Sequence, residues 1–575
     1  MFRIQNLMFV LLAPGWVACC LLPAAAADSG HPAHPHQVAD HAVASAHPLA
    51  TRAGIEVLEQ GGNAFDAAVA LTAALAVVEP YSSGLGGGGF WLLHTAADQR
   101  DIMLDGRETA PLAATRDMYL DSAGNPTRHS VAGPLAAGIP GVPAAIVHLS
   151  RNYGRLPLEA TLQAAIRLAR EGFTVSSHYR RLAVAVIDHL RESHGGSAVF
   201  LDRGAAPDAG FRLKQPQLAH VLERIRDQGA DGFYRGEVAR QLVEGVRQAG
   251  GIWQLRDLQQ YQVKERRPVS GAYGNLKITS AALPSSGGIV LMQMFNMLSL
   301  LDLSQLDGAH RTHAVVEAMR RAYMDRARYL GDPDYVEVPV QKLLSRQYAD
   351  EAFADFNPRQ ASSSRRYLEE LEATGDLESG AGRHTTHFSV IDREGNYVAA
   401  TLSINYPFGS GFVPPGTGVV LNNEMDDFVI KPAHPNLYGL IGGRANAIEP
   451  GKRMLSSMSP TFLDDGRRIA ILGTPGGSRI ITMVLLAALE FSSGGDAHDM
   501  VALPRFHHQF VPDRIQFESG AFDPETQATL VRLGHALERL QRRYGNMHVV
   551  IWDRTSGRVT AASDPRGIGS AQAGR

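Results

Sequence analysis

The sequence has almost no cysteine. Its 575 residues include two cysteines, Cys19 and Cys20, and both lie in an apolar stretch at the N-terminus. If that stretch is removed by processing, the mature chain has no thiol. Disulfides, a cysteine nucleophile and cysteine-ligated metal sites are then all excluded.

The sequence also lacks a charge excess. It has 55 Lys and Arg against 58 Asp and Glu, for a net charge of -3. Nothing therefore draws the chain generally toward nucleic acid or an anionic membrane. No repeat of 20 to 50 residues is evident, which argues against a solenoid or propeller. Composition and length are those of a globular protein with several domains or one large two-lobed unit.

The N-terminus predicts an export signal. Arg3 precedes an apolar run over residues 7–22, and small residues at 24–27 offer a cleavage site, so residues 1–27 form the predicted signal peptide. The alternative of an uncleaved membrane anchor is disfavoured because the run is short. A lipoprotein signal at Cys19 is disfavoured because Trp16 stands where a small aliphatic residue is usual. We expect an exported protein, periplasmic or secreted.

One glycine motif matches a nucleotide-binding fingerprint in the wrong context. Gly84, Gly86 and Gly89 have the G-x-G-x-x-G spacing, but they follow a predicted helix at 64–78 and precede a strand. The dinucleotide fingerprint requires the strand first and the helix second. Close packing of the backbone explains the glycines better.

Histidines offer no convincing metal site. His310 and His313 could share a helix face and bind zinc, but no third ligand lies nearby in the sequence, so surface or core histidines are favoured. The His-rich segment 31–37 is interpreted as a flexible leader. The sequence predicts no metal and no cofactor.

Periodicity predicts a layered α/β protein. Helices are expected at residues 48–60, 64–78, 289–301 and 310–329, and residues 161–266 form a helical region. From residue 385 on, strand patterns dominate, including residues 418–428 and a hairpin near 548–564. We expect a mainly antiparallel central sheet with helices on either side. Residues 567–575 are predicted to be a frayed tail.

The middle of the chain predicts a cut site. Residues 361–384 are rich in Ser, Arg, Glu and Gly, and a strand, a turn at 393–396 and a second strand follow at once. A hydroxyl residue at the start of a buried strand suggests cleavage between His384 and Thr385. Thr385 would then carry a free α-amine, with a reference pKa near 8, beside its own hydroxyl. The alternative is an ordinary strand, because Thr is a good strand former.

Three polar segments further along could complete a catalytic site. Residues 475–479, PGGSR, lie between a strand and a helix, where backbone N–H groups can form an oxyanion hole. The SSMSP segment at 456–460 has two hydroxyls able to bind a carboxylate. The NNEMDDF segment at 422–428 gathers carboxylates that could hold an ammonium. Taken singly, each could be an ordinary turn.

Together these motifs resemble the γ-glutamyltransferase family of N-terminal-nucleophile hydrolases. GGNAFDAAVA, GLGGGGF, DGRETAP, TTHFSV, LNNEMDDF, RMLSSMSPT, TPGGSRIIT and PRFHHQ occur in the family's order between residues 43 and 565. The resemblance implies a four-layer αββα sandwich built from two subunits cut from one precursor. The large subunit would span residues 28–384 and the small catalytic subunit residues 385–575.

The resemblance also implies residue roles. Thr385 would be the nucleophile, Ser403 would hydrogen-bond its amine, and the amides of Gly476 and Gly477 would form the oxyanion hole. Asn405, Glu424 and Asp427 would bind the donor's α-amine. Arg107, Ser456 and Ser457 would bind its α-carboxylate. Residues 431–443 resemble a lid loop with Tyr438 as its gate. Glu424 stands where some bacterial members have Gln, and His384 where Gln is common.

The implied activity is γ-glutamyl transfer from glutathione and related donors. Water, an amino acid or a dipeptide would accept the group from an ester on Thr385, and the two subunits would form a heterodimer. One alternative is a related acylase acting on glutaryl-β-lactams, which would not need an ammonium pocket. Another is an inactive secreted binding protein, although neither the nucleophile nor the carboxylate clamp is missing.

Overall fold

The computed structural model describes residues 38–365, 385–432 and 434–574, except for the side chain of His194. The predicted signal peptide and His384 lie outside these residues. Among the described helices, none is both long and apolar enough to span a membrane.

Two antiparallel sheets form the centre of the fold. The strands are β1 (Ala42–Ser45), β2 (Gly88–Thr95), β3 (Arg100–Gly106), β4 (Phe173–Thr174), β5 (Arg212–Leu213), β6 (Lys264–Arg266), β7 (Val269–Tyr273), β8 (Leu276–Ser280), β9 (Thr386–Ile391), β10 (Tyr397–Ser403), β11 (Thr461–Asp464), β12 (Arg468–Gly473), β13 (Phe506–His507), β14 (Ile515–Phe517), β15 (Leu537–Arg539), β16 (His548–Asp553), β17 (Val559–Ser563) and β18 (Ser570–Ala573). The seven-stranded sheet has the order β18-β1-β9-β10-β2-β3-β6, and the six-stranded sheet has the order β17-β16-β12-β11-β8-β7.

Helices cover the outer faces of both sheets. They are α1 (Pro48–Glu59), α2 (Ala64–Val78), α3 (Val142–Asn152), α4 (Leu158–Glu171), α5 (Ser177–Ala185), α6 (Ile187–Glu192), α7 (His194–Phe200), α8 (Pro216–Gln228), α9 (Asp231–Tyr234), α10 (Gly236–Gln248), α11 (Leu255–Gln260), α12 (Gly287–Leu298), α13 (Gly308–Tyr329), α14 (Val340–Leu343), α15 (Arg346–Phe353), α16 (Ile480–Ser492), α17 (Ala497–Ala502) and α18 (Pro524–Arg532). The predicted helices over residues 48–60, 64–78, 289–301 and 310–329 are confirmed with small shifts at their ends.

The layers follow from the alternation of side chains along the strands. In β2, Trp91 and Leu93 point into a core shared with α1 and α2, whereas Phe90 and Leu92 belong to a second core. That second core lies where β9 and β10 contact β12 and β16, and it extends to α12 and α16 on the six-stranded sheet. The predicted αββα sandwich is confirmed.

The glycine loop before β2 packs tightly against the end of β10. A Cβ on Gly86 would lie 2.0 Å from the Val420 carbonyl oxygen, and one on Gly87 would lie 2.2 Å from the Ser403 carbonyl oxygen. Neither position has room for a side chain. The loop therefore supports the end of the strand that carries Ser403. Close packing holds for Gly86 and for Gly89, where a Cβ would lie 2.7 Å from the Thr401 carbonyl oxygen, but Gly84 has ordinary room, with its nearest atom 3.4 Å away.

Three expectations about secondary structure are wrong. Residues 570–573 are not frayed but form β18, which pairs with β1 from Ala42↔Ala573 to Ser45↔Ser570 and so satisfies an otherwise open edge. The predicted strand at 418–428 is absent: Leu421 forms only an isolated bridge with Gly86, and Glu424–Asp427 form a 3₁₀ turn. The helical region at 161–266 ends in strand β6, which joins the seven-stranded sheet.

Candidate active site

The hairpin of β9 and β10 positions Thr385. Its turn is held by Asp392, whose Oδ1 accepts hydrogen bonds from the backbone N–H of Glu394 and Asn396, at 2.9 and 3.0 Å. The pairing runs from Tyr397↔Ile391 to Leu402↔Thr386, so that the next position places Thr385 opposite Ser403. Thr385 is buried at the start of β9.

Thr385 lines a small cavity. All the predicted substrate-binding residues line the same cavity, together with Ser403 and Gly477; they are Arg107, Asn405, Glu424, Asp427, Tyr438, Ser456 and Ser457. Arg107 precedes Thr385 by 278 positions and Ser457 by 350 positions in the sequence. The fold therefore brings the predicted set together around the predicted nucleophile.

Arg107 forms the charged centre of this cavity. It is 1 % exposed, and its Nη1 and Nη2 donate to Glu424 Oε2 and Asp427 Oδ2, both at 2.6 Å. Its Nε donates to the Met454 carbonyl oxygen at 3.2 Å. A planar guanidinium with several donors suits this forked arrangement. Arg107, Glu424 and Asp427, which are predicted to bind opposite ends of one amino acid, are thus paired with each other.

The carboxyl groups around Arg107 are not fully bonded. Glu108 Oε1 and Glu424 Oε1 are buried without a hydrogen bond of ordinary geometry in the described part of the chain, although Ser403 approaches the Glu424 carboxyl. Burial raises the pKa of Glu424 to about 7, against the opposing effect of Arg107. Burial and the neighbouring Glu424 raise the pKa of Glu108 well above its usual range. Such unpaired buried oxygens favour a donor from a ligand.

Two serines lie on another side of the cavity. Ser456 Oγ accepts a hydrogen bond from the Met458 N–H at 3.1 Å, and Ser457 Oγ accepts one from Arg326 Nη2 at 3.3 Å. The Arg326 guanidinium also donates to Ser286 Oγ at 3.0 Å, and burial lowers its pKa. Hydroxyls backed by a buried cation form a suitable site for a carboxylate.

The predicted oxyanion turn joins β12 to α16. Gly476 and Gly477 have φ values of +148° and +57°, and the 3₁₀ turn Gly477–Arg479 leads into the helix. Within residues 38–365, 385–432 and 434–574, no acceptor bonds the N–H of either glycine. Both groups remain free to bind an anion at the start of the helix.

Tyr438 lines the cavity and packs on this turn. A Cβ on Gly477 would lie 2.2 Å from Tyr438 Cδ1, so only glycine allows the ring to pack there. Tyr438 Oη donates to the Asn405 carbonyl oxygen at 2.6 Å. Asn405 itself has a φ of +72°, a conformation that Asn tolerates better than most residues. The structure thus places the predicted gate residue in contact with two other predicted site residues.

Known proteins are similar to this chain in sequence and in fold. The chain matches the family described as Gamma-glutamyltranspeptidase over residues 50–574. It belongs to the gamma-glutamyltranspeptidase family.

Individual relatives agree with that assignment. The chain is 42% identical over 498 residues to the glutathione hydrolase proenzyme of Pseudomonas sp. (strain A14), covering 86% of this chain and 85% of the relative. It is 39% identical over 549 residues to the glutathione hydrolase proenzyme of Escherichia coli (strain K12), covering 94% and 93%. Among solved structures, cephalosporin acylase from Bacillus halodurans superposes with a TM-score of 0.80 at 26% identity, covering 96% of this chain and 99% of the acylase.

Sequence reasoning missed two residues beside the gamma-glutamyltranspeptidase site. Arg326 backs Ser457 from α13, and Glu79 accepts a hydrogen bond from Thr386 Oγ1 at 2.6 Å. Both are buried charged residues near apolar positions of helices, where a charge that faces the core needs a partner. The charged residues spaced along the Ala-rich helix α13 were the available signal for Arg326.

His310 and His313, which the sequence analysis interpreted as surface or core histidines, lie in different surroundings. His310 is half-buried and bonds Asp307, whereas His313 is buried and its Nδ1 lies 2.7 Å from His535 Nε2. In the described residues, His313, His535 and Glu317 are the one group close enough to hold a metal ion. Glu317 is already paired with two arginines and the histidines bond each other, so this group fits a structural role.

Proposed function

We propose that this chain is a γ-glutamyltransferase that takes the γ-glutamyl group from glutathione and related compounds. Hydrolysis and transfer both proceed through an ester of the γ-glutamyl group with Thr385. The observation that carries this proposal is the cavity shared by a hydroxyl, free backbone N–H groups and an Arg–carboxylate clamp. The relatives named glutathione hydrolase proenzyme support it.

The active form requires cleavage between His384 and Thr385. The Thr385 hydroxyl attacks the His384 carbonyl carbon, the C–N bond breaks, and the nitrogen takes up a proton to become an amine. Water then hydrolyses the resulting ester. The products are a large subunit, residues 28–384, and a small subunit, residues 385–575, which remain together as a heterodimer. Before the cut, the nitrogen of Thr385 is an amide and cannot act as a base.

The clamp holds both ends of the donor's amino acid part. Its carboxylate lies against Arg107, Ser456 and Ser457, with Arg326 behind Ser457. Its ammonium lies against Asn405, Glu424 and Asp427, where the unpaired oxygen of Glu424 accepts a hydrogen bond. Fixing both ends places the γ-carbonyl next to Thr385, which converts a bimolecular encounter into a positioned reaction.

The released amine then acts as the base. It takes the proton of the Thr385 hydroxyl as oxygen attacks the γ-carbonyl carbon, with Ser403 orienting the amine from the neighbouring strand. The N–H groups of Gly476 and Gly477 stabilise the oxyanion. The proton passes to the leaving amine as the C–N bond breaks. Water, an amino acid or a dipeptide then attacks the ester, and no step needs a metal or an organic cofactor.

Substituting the nucleophile tests the proposal. We expect Thr385→Ala to remain one uncut chain and to release no p-nitroaniline from γ-glutamyl-p-nitroanilide. Thr385→Ser keeps a hydroxyl and should still be cut, and N-terminal sequencing of the wild-type small fragment should begin at Thr385. Two bands from Thr385→Ala on a denaturing gel would contradict self-cleavage by this hydroxyl.

The second candidate is an acylase, which the structural likeness to cephalosporin acylase favours. The discriminating feature is the α-amine, because a glutaryl group lacks it and leaves Glu424 and Asp427 without an ammonium. We expect faster cleavage of γ-glutamyl-p-nitroanilide than of glutaryl-p-nitroanilide, which differ by that amine alone. Faster cleavage of glutaryl-p-nitroanilide would favour the acylase over the γ-glutamyltransferase.

We also infer that the enzyme is exported, with the signal peptide at residues 1–27 removed. The apolar run and small residues at the N-terminus support this. Fractionation of cells should recover activity in the periplasm or medium. Recovery in the cytoplasm of a protein that keeps residue 1 would refute the inference.

A further inference from the structure

Glu79 is a buried carboxyl without a cationic partner. It lies at the C-terminal end of α2, directly after an apolar helix, and is 3 % exposed. Its Oε2 accepts a hydrogen bond from Thr386 Oγ1 at 2.6 Å, and its Oε1 accepts one from Tyr81 Oη at 3.1 Å. Both donors are uncharged hydroxyls. Within the described residues, no Lys, Arg or His side chain forms an ion pair with this carboxyl.

The surroundings of Glu79 favour a positive charge. Burial raises its pKa to about 7, against the effect of the two hydrogen bonds, because the ionised carboxyl loses its hydration. The last carbonyl groups of α2 add a partial negative charge, which attracts cations and repels carboxylates. A buried carboxyl is ordinarily paired. The charge of Glu79, by contrast, is not compensated by any described side chain of the uncut chain.

Cleavage before Thr385 would supply the missing charge. Thr385 precedes Thr386, and both Thr385 and Glu79 line a second cavity next to the first. Before the cut the nitrogen of Thr385 is a neutral amide, whereas afterwards it is an α-amine with a reference pKa near 8, which takes up a proton in the neutral range. Standard bond lengths, together with the hydrogen bond from Thr386, place this nitrogen within roughly 10 Å of the Glu79 carboxyl.

The alternation of side chains along β9 determines what Glu79 can reach. Phe388 and Val390 belong to the core shared with α1 and α2, so Thr386 lies on that face of the sheet, together with Glu79. The side chain of Thr385 has the opposite orientation and lines the small cavity. Glu79 therefore influences the amine through its charge and does not contact the reacting hydroxyl.

Other titratable groups face the same region. Tyr179 packs against Tyr81, with ring centroids 5.8 Å apart. Besides Glu79, the described wall of the second cavity includes His178, Arg181, Arg542, Arg543, Tyr544 and Arg566. From the first cavity, Thr385 is faced by Arg107, Glu424, Asp427 and Tyr438.

Most of these groups are paired or neutral. Burial lowers the pKa of His178 to about 4 and raises the pKa values of the buried tyrosines, so all of them are uncharged at neutral pH. Arg566 is paired with Glu518 and Asp564, and Arg107 is paired with the carboxylates of the clamp. The remaining three arginines are exposed, so water and salt screen them. A variant of Glu79 alone leaves all these groups in place and isolates its charge.

We propose that Glu79 is a positioning residue that acts as the counter-charge of the amine created by cleavage, and that it sets the lower pH limit of γ-glutamyl transfer. This inference rests on the proposed function, in which that amine is the base. A carboxylate stabilises the protonated amine, so the amine becomes a free base only at higher pH. The protonated amine in turn favours the ionised carboxyl, and the two groups titrate as a pair.

The size of the effect follows from the separation of the charges. Two unit charges about 10 Å apart, at an effective dielectric constant of about 20, shift a pKa by about one unit. Glu79→Gln removes the charge but keeps an oxygen that can accept the hydrogen bond from Thr386. A residue that only held Thr386 in place would leave the pH profile of this variant where it is in the wild type.

The test measures kcat/KM for hydrolysis of γ-glutamyl-p-nitroanilide from about pH 5 to about pH 10 at constant ionic strength. We expect the midpoint of the acid limb in Glu79→Gln to lie about one pH unit below that of the wild type. Below this limb the variant should therefore retain up to about tenfold more of its plateau activity than the wild type. Glu79→Asp keeps the charge, and its midpoint should stay near that of the wild type.

Glu265→Gln is the matched control. Glu265 is an exposed carboxyl that accepts a hydrogen bond from Tyr153 Oη at 2.5 Å, and it lines neither cavity. Its variant loses a carboxylate bonded to a tyrosine, as Glu79→Gln does, but at a distance from Thr385. The acid limb of Glu265→Gln should coincide with that of the wild type.

A second variant covers the case in which Glu79→Gln yields no cut chain on a denaturing gel. Tyr81→Phe keeps the carboxyl but removes one of the two donors that favour its ionised form. A smaller fraction of Glu79 is then ionised, and the midpoint should move in the same direction by about 0.3 pH unit. In that case an unmoved midpoint in Tyr81→Phe overturns the inference.

Two further results would overturn it: an acid limb of Glu79→Gln that coincides with that of the wild type, or one of Glu79→Asp that moves as far as that of Glu79→Gln. Failure of the proposed function looks different, because the wild type then releases no p-nitroaniline at any pH and has no acid limb to compare. The two failures are therefore distinguishable in one set of assays.

Discussion

Two buried clusters of arginine and carboxylate residues differ in how completely their oxygens are bonded. The active-site network consists of Arg107, Glu108, Glu424 and Asp427. The scaffold network consists of Glu317, Arg320, Arg321 and Asp513, and it joins α13 to the loop after β13. Both contain arginines that are almost fully buried. Charge and burial alone would not tell which cluster binds a ligand.

The scaffold network is satisfied within the protein. Glu317 Oε2 accepts from Arg321 Nη1 at 2.6 Å, and Oε1 accepts from Arg320 Nε at 3.3 Å and from the Ser362 N–H at 3.1 Å. Arg320 also bonds Asp513. Burial raises the pKa of Glu317, but the two arginines outweigh it and hold the pKa at about 2.

The active-site network is left incomplete. Two of its carboxyl oxygens have no hydrogen bond of ordinary geometry in the described residues, and the pKa of Glu424 is raised to about 7 rather than lowered. We propose that the incomplete network binds the substrate, whereas the satisfied one joins parts of the fold. Four changes to the protein or its conditions test that distinction.

Removing Arg107 should abolish most activity. In Arg107→Ala the donor's carboxylate loses its cation, and Glu424 and Asp427 lose their partner. We expect kcat/KM for γ-glutamyl-p-nitroanilide to fall by roughly 10² to 10³, equivalent to about 3 to 4 kcal/mol. Arg107→Lys should recover only part of this loss, because Lys cannot form the fork. Near wild-type kcat/KM in Arg107→Ala would show that this network does not bind the donor.

Breaking the scaffold network should cost stability instead. Glu317→Gln leaves two buried arginines without their shared carboxylate, and we expect the free energy of unfolding to fall by about 3 to 5 kcal/mol. The KM of Glu317→Gln for γ-glutamyl-p-nitroanilide should change little. The exposed Glu351, which accepts a hydrogen bond from Gln347, provides the control Glu351→Gln with almost no effect. Denaturant unfolding is best measured in the uncut Thr385→Ala chain. A large change of KM in Glu317→Gln without loss of stability would show that this network binds the substrate rather than stabilising the fold.

The two carboxyl groups should respond to pH in opposite directions. The pKa of Glu317 falls from its usual 4.5 to about 2, so its contribution to stability is full above pH 4.5 and is lost as the pH falls through 2. The pKa of Glu424 rises from 4.5 to about 7, so its contribution is full below pH 4.5 and is lost as the pH rises through 7. Each shift corresponds to about 3 kcal/mol.

Unfolding of the uncut chain at several pH values measures this contrast. Relative to the wild type, Glu317→Gln should lose its destabilising effect toward pH 2, whereas Glu424→Gln should gain relative stability between about pH 5 and 8. Parallel pH dependence of the two variants would mean that the two networks are electrostatically alike.

Loosening the gate should have the smallest effect. Tyr438→Phe removes the hydrogen bond to the Asn405 carbonyl oxygen but keeps the ring on Gly477, so we expect KM for the donor to rise by about two- to fivefold, a loss of about 0.5 to 1 kcal/mol. The free energy of unfolding should fall by no more than about 1 kcal/mol. Tyr335→Phe removes a similar bond, to the Pro450 carbonyl oxygen, on the surface and serves as the control. An unchanged KM in Tyr438→Phe would show that the gate does not act through this bond.

Local patterns made much of this structure predictable. The Asn63 cap and the apolar run behind it define α2 to the residue, because capping and burial act within a few positions. The hairpin turn at 392–396 likewise lies where its Asp and Gly indicate. The site residues, by contrast, became a set through the family's motif order, since no local rule joins Arg107 to Glu424 across more than 300 residues.

Interaction partners that come from distant elements could not be predicted from the sequence. The strand at 570–573 has ordinary composition and forms only because β1 presents an open edge. Arg326 and Glu79 look like charges on helices until Ser457 and Thr386 are placed beside them. The two networks also cannot be distinguished in the sequence, because the number of carboxyl oxygens that find a hydrogen-bond partner depends on tertiary contacts.

The order of strands in the seven-stranded sheet limits what cleavage before Thr385 could release. β18, β9 and β10 come from beyond the cut, whereas β1, β2, β3 and β6 precede it, and β1 lies between β18 and β9. The two fragments would share ladders of backbone hydrogen bonds and one continuous apolar interior. Dilution could not separate them without unfolding both, so maturation would sever the polypeptide while the folded body stays whole.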